Sequence, residues 1–150
     1  MRQAIALSLE NVRNGRGGPF AALVVKGDRI IATGTILVTA TGDPTAHAEI
    51  VAIREACRVL GHFQLTGCEI YTTCEPCPMC LGAIYWARPE RVYFGNTKAD
   101  AADIGFDDSF IYSQMEAPIE GRAIPMARLL GEEAVVAFEE WRRKPDRIPY

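Results

Sequence analysis

Three cysteines fall within seven residues, at Cys74, Cys77 and Cys80, and the last two enclose only Pro78 and Met79. Proline is tolerated at the first position of a helix, where its missing N–H has no partner to lose. Pro78 therefore marks a helix start, predicted over Pro78–Trp86, directly after a short strand at Glu69–Thr72. A second loop of the same kind lies about 30 residues upstream, where Pro44 and Thr45 lead into His47-Ala48-Glu49. The spacing predicts a helix over Thr45–Leu60, with Ile50, Ile53, Ala56 and Leu60 as its apolar stripe and Gly61 as its stop. Two helices that open on metal-ligand or titratable side chains restrict the fold to one that brings both openings together.

The rest of the chain supplies a framework. Ile5, Leu9 and Val12 recur at helical spacing within Arg2–Asn14, with Ala4 and Leu7 widening the stripe, and Gly15, Gly17, Gly18 and Pro19 end it. Phe20–Val25 and Arg29–Thr33 are strand-like runs around Lys26-Gly27-Asp28, a hairpin signal. Arg91–Phe94 reads as another strand and Gly131–Arg142 as a last helix, while 96–118 carries no clear period. Strands alternating with helices predict an α/β domain with helices on both faces of one sheet, made mixed by the hairpin.

At 150 residues, 49% hydrophobic and 23% charged, the chain has the balance of one globular domain. No apolar run approaches the ~18 residues of a membrane span. No basic segment followed by an apolar run opens the chain, so a cytoplasmic protein is expected. The net charge of −3 argues against gripping a nucleic-acid backbone. The one basic cluster, Arg142-Arg143-Lys144, is flanked by Glu139, Glu140 and Asp146 and reads as a solvated helix end. Small-molecule substrates are thus favoured over polymers.

Zinc binds imidazole nitrogen and thiolate sulfur, and a catalytic site keeps three protein ligands and one open position. Cys77 and Cys80, one helical turn apart, present their sulfurs on one side, and a helix N-terminus favours the thiolate. His47 is the third ligand. Glu49 is the group to move protons in a hydrolysis that releases an amine. Helical geometry alone does not aim His47 and Glu49 at one point, because residues two apart diverge. The pairing of H-x-E with P-C-x-x-C is the established signature of zinc-dependent nucleobase deaminases. Other readings remain open: a structural zinc knuckle, although no second pair completes it, and a redox pair from Cys74 and Cys77. Cys74 reads as a buried thiol at a strand end that could in principle replace Cys80. Cys57 and Cys68 read as inert thiols and His62 as a surface or capping residue.

At these residues the chain resembles the cytidine/deoxycytidylate deaminase superfamily and, within it, the bacterial guanine deaminases. The likeness runs through Gly17-Gly18-Pro19-Phe20, Asp43 to Glu49, Cys74 to Pro89 and Gly105 to Tyr112. It implies a three-layer α/β/α fold, a zinc cofactor, and a homodimer in which the C-terminal segment, about 119–150 of the single domain, is exchanged. It also implies that Asp108 binds the amine or assists proton transfer and that Phe20 and Trp86 pack against the base. The Ala48 N–H would donate to a carbonyl oxygen, and Tyr150 would reach the base from a tail closing over the neighbouring subunit's site. Without the resemblance, Phe20 and Trp86 read as core, Asp108 as a turn residue and Tyr150 as a frayed end.

One departure bears on the substrate. Relatives place an asparagine just after the second strand to hydrogen-bond the purine, and here Thr35-Ile36-Leu37-Val38 occupies that stretch. An unpaired buried polar edge costs ~1–3 kcal/mol per group, or about 5- to 150-fold in discrimination. The expected reaction is conversion of guanine to xanthine and ammonia, with cytosine, isoguanine or an aminotriazine as alternative bases. A nucleic-acid-editing deaminase and a catalytically silent zinc-bound interaction module are the rivals from other classes.

Overall fold

The computed structural model describes residues 1–150. β1 (Ala21–Lys26) and β2 (Arg29–Thr35) form the expected hairpin, paired antiparallel through a turn at Gly27-Asp28. β1 also pairs antiparallel with β3 (Cys68–Cys74), which runs parallel to β4 (Arg91–Asn96). The sheet order is β2-β1-β3-β4, so the sheet is mixed. α4 (Pro78–Ala87) is the crossover that a parallel β3–β4 pair requires. A four-residue turn of helix, α2 (Val38–Thr41), follows β2.

α3 (Ala48–Leu60) packs across β2 and β1. Ala48, Ala52 and Ala56 recur every four residues and are fully buried against Ala22, Val24, Ala32 and Ile70. Their small side chains let helix and sheet approach closely. A Cβ on Gly34 of β2 would lie 2.2 Å from the Ala48 carbonyl oxygen and 2.6 Å from the Ala52 nitrogen. Ala21 and Leu23, which alternate with Ala22 and Val24, are also buried, so both faces of β1 are covered.

The helix α1 (Arg2–Arg13) packs on β1 and β3, but by a different face than periodicity indicates. Ile5, Leu9 and Val12 are 46–48% exposed, whereas Ala4, Ser8 and Asn11 are buried. The buried polar groups are satisfied: Ser8 Oγ donates to the Ile5 carbonyl, and Asn11 Nδ2 donates to the Gly18 and Ile36 carbonyls at 3.0 and 3.1 Å. Hydrogen-bonded polar groups are tolerated in an interior, so the pattern of apolar residues did not decide which face turned inward.

The chain divides into two compact units, Met1–Ser109 and Phe110–Tyr150, a division ahead of the expected segment boundary near 119. The stretch without period resolves into α5 (Lys98–Asp103) and α6 (Ser109–Glu116). Thr97 and Asp100 form a capping box at the start of α5, with the Asp100 carboxylate accepting from the Thr97 N–H at 2.7 Å. The second unit holds a 3₁₀ turn at Ile119–Gly121 and α7 (Gly131–Arg143), which has no buried residue. Arg143 pairs with Glu139 and Glu140 at 3.2 Å, as a solvated helix end should. No helix is long and apolar enough to cross a membrane.

Gly34 has no space for a side chain against α3. Gly34→Ala is expected to cost about 1–3 kcal/mol through overpacking, read as a lowered urea midpoint at unchanged slope.

Candidate metal centre

The helix expected from Thr45 begins at Ala48. Asp43 is the cause: its Oδ1 accepts from both the Thr45 N–H and the Thr45 hydroxyl, at 2.8 and 2.7 Å. This side-chain turn competes with helix and holds 43–45 outside it. His47 becomes the N-cap with φ −71° and ψ 155°, an extended conformation. The objection that residues two apart on a helix diverge no longer applies, because His47 is not in helical phase with Glu49. Cys77 is likewise an extended N-cap, with φ −64° and ψ 167°, ahead of Pro78 at the first helical position.

The ligand atoms of His47, Cys77 and Cys80 lie within 4.8 Å of one another. His47 Nδ1 is 3.5 Å from Cys77 Sγ. Two ligands of one tetrahedral zinc, with bonds of about 2.0–2.1 Å to nitrogen and about 2.3 Å to sulfur, stand roughly 3.5 Å apart. The donor set and its spacing fit zinc. Cys80 is fully buried on the same face of α4 as Ile84 and Ala87, which anchors that sulfur.

Electrostatics agree with a ligand cluster. The Cys80 thiol and the His47 ring beside it hold Cys77 well below the usual thiol range, against the burial that opposes them. Cys80 is pushed up by the neighbouring Cys77 sulfur, by burial and by the Glu49 carboxylate. His47 is raised above the ordinary imidazole value by its hydrogen bond with Cys77, with burial acting against it.

Glu49 is only 6% exposed although it is a carboxylate. Thr72 Oγ1 donates to its Oε1 at 2.8 Å, and Cys80 Sγ donates to its Oε2 at 3.3 Å. The acid is thus in direct contact with a sulfur of the His47–Cys77–Cys80 cluster. Asp108 is partly buried at the entrance to α6; desolvation and the Cys77 charge raise its carboxyl. Ala48 is fully buried at the first helical position, where its N–H has no carbonyl partner within the helix.

Phe20 packs edge-to-face on Phe106, ring centroids 4.8 Å apart. Its loop is tied down from two sides, by Asn11 on the Gly18 carbonyl and by Thr73 Oγ1, which accepts from the Ala21 N–H at 3.0 Å. Gly17 permits this course, since a Cβ there would lie 2.5 Å from the Ile36 carbonyl oxygen. Ile36 is buried and donates its N–H to the Phe20 carbonyl, and the Leu37 N–H donates to the Ala46 carbonyl. Trp86 is 63% exposed and lies outside the buried face of α4. Tyr150 belongs to the second unit, where the residue is 71% exposed. Cys74 ends β3 as a buried thiol, raised to about 11 chiefly by desolvation, with its sulfur 3.6 Å from the Thr97 carbonyl oxygen.

Thr72, Thr73, Asn11 and Gly34 were not singled out from the sequence. For Thr72 a signal existed. Strand periodicity places it on the same face as buried Ile70, and a polar residue at an inward position needs a partner.

Comparison with known proteins adds the following. Residues 1–96 match the cytidine and deoxycytidylate deaminase zinc-binding region. The chain is 51% identical to a guanine deaminase of Bacillus subtilis over 150 residues, covering 100% of this chain and 96% of that protein. The crystal structure of Bacillus subtilis guanine deaminase superposes with a TM-score of 0.96, covering 99% of this chain and 95% of that one. A structure of guanine deaminase from Nitrosomonas europaea is 34% identical with a TM-score of 0.67, covering 71% of this chain and 62% of that one. A tRNA-specific adenosine deaminase of Aquifex aeolicus is 49% identical over 76 residues, 51% of this chain and 50% of that protein.

Ligands must shed their protons to bind a metal. Cys80, whose thiol is raised, must lose its proton throughout this range, so zinc affinity falls steadily on acidification, and the raised His47 steepens that fall from above the ordinary imidazole value of 6.5. Competition with a chromophoric chelator across roughly pH 8 to 5 measures this; a slope that does not steepen on acidification would count against His47 as a ligand.

Proposed function

The chain belongs to the cytidine and deoxycytidylate deaminase family, and from that membership we propose that it hydrolyses guanine to xanthine and ammonia. The observation that carries the reading is Glu49, a buried carboxylate touching a sulfur of the His47–Cys77–Cys80 cluster. A structural zinc site has no use for such an acid. Zinc, which these three residues would hold, would supply a water activated at neutral pH.

The remaining chemistry belongs to the chain. Glu49 takes one proton of the attacking water and delivers it to a ring nitrogen, then takes the second from the hydroxyl that addition leaves on the ring carbon and gives it to the departing amine, so that ammonia leaves as the carbonyl forms. Asp108, in the field of Cys77, is suited to binding that amine. The Ala48 N–H at the start of α3 donates to a carbonyl oxygen of the base, where the helix dipole favours negative charge. Phe20, buttressed by Phe106, flanks the ring. In the same reading Trp86 also packs against the base, Tyr150 reaches the base of the neighbouring subunit from the exchanged tail, and the enzyme works in the cytoplasm in purine metabolism.

Guanine is favoured over an edited tRNA base by the extent of the two likenesses. The tRNA-specific adenosine deaminase matches half of the chain, whereas the guanine deaminase matches all of it. Ile36 and Leu37 offer no polar side chain toward a purine, and the Leu37 N–H is already engaged by Ala46. Ammonia release from guanine, cytosine, isoguanine and an aminotriazine tests the assignment. Guanine is expected to turn over fastest, and Glu49→Gln to retain zinc while losing on the order of 10²–10⁴ in kcat. Faster release from another base would reassign the substrate, and an undiminished Glu49→Gln enzyme would remove Glu49 from the mechanism.

The same reading includes a homodimer that exchanges the segment from about 119 to the end. In support, α7 buries none of its residues, and Val135, Val136, Phe138 and Trp141 are 45–74% exposed. Light scattering is expected to give twice the 16.5 kDa chain mass. A monomer at full activity would rule the exchange out.

A further inference from the structure

Thr72 lies in the middle of β3, 1% exposed, on the face that otherwise packs Ile70 into the apolar core. A valine would fill the same volume without a polar atom to satisfy. The hydroxyl at this position donates to Oε1 of Glu49 at 2.8 Å, and no buried side-chain polar atom in the protein is left without a partner. The other oxygen of Glu49 faces Cys80.

We propose that Thr72 is a positioning residue for the acid–base chemistry: it pins Oε1 of Glu49 and so commits Oε2 to carrying the proton. The inference rests on the deaminase reading. A glutamate has three rotatable bonds, and its two oxygens are equivalent unless something distinguishes them. Helix α3 fixes where the Glu49 side chain starts, and burial restricts its path. Rotation of the carboxylate about its last bond is the freedom that remains. The Thr72 hydroxyl removes it, because turning the group would break a buried hydrogen bond to a charged acceptor. Oε2 then receives the proton from water and passes it on from one location, with no reorientation between steps. The β-branched threonine, stiff about its first side-chain bond, is well suited to hold the hydroxyl in place.

Thr72→Val keeps the shape and removes the donor. With zinc still bound at one per chain, its kcat is expected to fall ~10- to 100-fold, the scale of an ångström-sized misplacement, while KM stays within about twofold. Thr72→Ser restores the hydroxyl and is expected to recover most of the loss. If Thr72→Val does not fold, Thr72→Ala takes its place. A readout independent of turnover is the infrared carboxylate band of the metal-free protein that disappears in Glu49→Gln. That band is expected to move in Thr72→Val and return in Thr72→Ser. Unchanged kcat with zinc retained, a band that does not move, or a serine variant no better than valine would each overturn the role. Wild-type protein that releases no ammonia from any base would instead sink the deaminase reading, and the infrared comparison would still judge Thr72.

Discussion

The site depends on two residues, His47 and Cys77, that stand at the threshold of helices without belonging to them. Each has extended dihedrals, so its side chain is free of the phase that a helix imposes on its own residues. Neither uses that freedom to cap the helix it precedes; both turn toward the gap between α3 and α4. The next residues, Ala48 and Pro78, begin the helices at once and fix how far the caps can stray. Glu49 and Cys80 then enter from the first turns of the same two helices. A ligand set assembled wholly within helices would have to obey their pitch, and one assembled in loops would lack their rigidity.

The sheet sets how close those thresholds stand. α3 lies low on β2 and β1 because Gly34 and three alanines remove the side chains that would lift it. α4 is the crossover between β3 and β4, so its start is fixed by the end of β3, where Cys74 pairs with Asn96. Asn11 and Thr73 tie down the loop that carries Phe20. In the proposed reaction the residues 1–96 shared across the family hold the metal, the acid and the group that aims it. Asp108 lies beyond that segment.

Much of this was legible in the sequence because it is local. Pro78 announced α4, Gly61 ended α3, Gly27-Asp28 gave the hairpin, and the two motifs named the three side chains that converge and the carboxylate beside them. What failed was decided by competition or by partners distant in sequence. Asp43 captured Thr45 and delayed α3, which removed the apparent conflict between His47 and Glu49. On α1 two satisfied polar residues turned inward in place of the isoleucine–leucine–valine stripe, and periodicity carries no information about which neighbour covers a face. The Asn96–Pro118 stretch hid two helices too short to show a period, although the Thr97–Asp100 box was present to be read. Thr72 acquires its meaning only from Glu49, which is 23 positions away along the chain.

Thr72 and Thr73 are consecutive, so they address opposite sides of β3: one supports the acid, the other the loop that carries Phe20. A single strand thereby strings the buried carboxylate and the Phe20 loop on one thread. A one-residue insertion or deletion in β3 would exchange the two hydroxyls across the sheet and disable both supports together. The reading frame of β3 against β1 and β4 is held by two tasks at once.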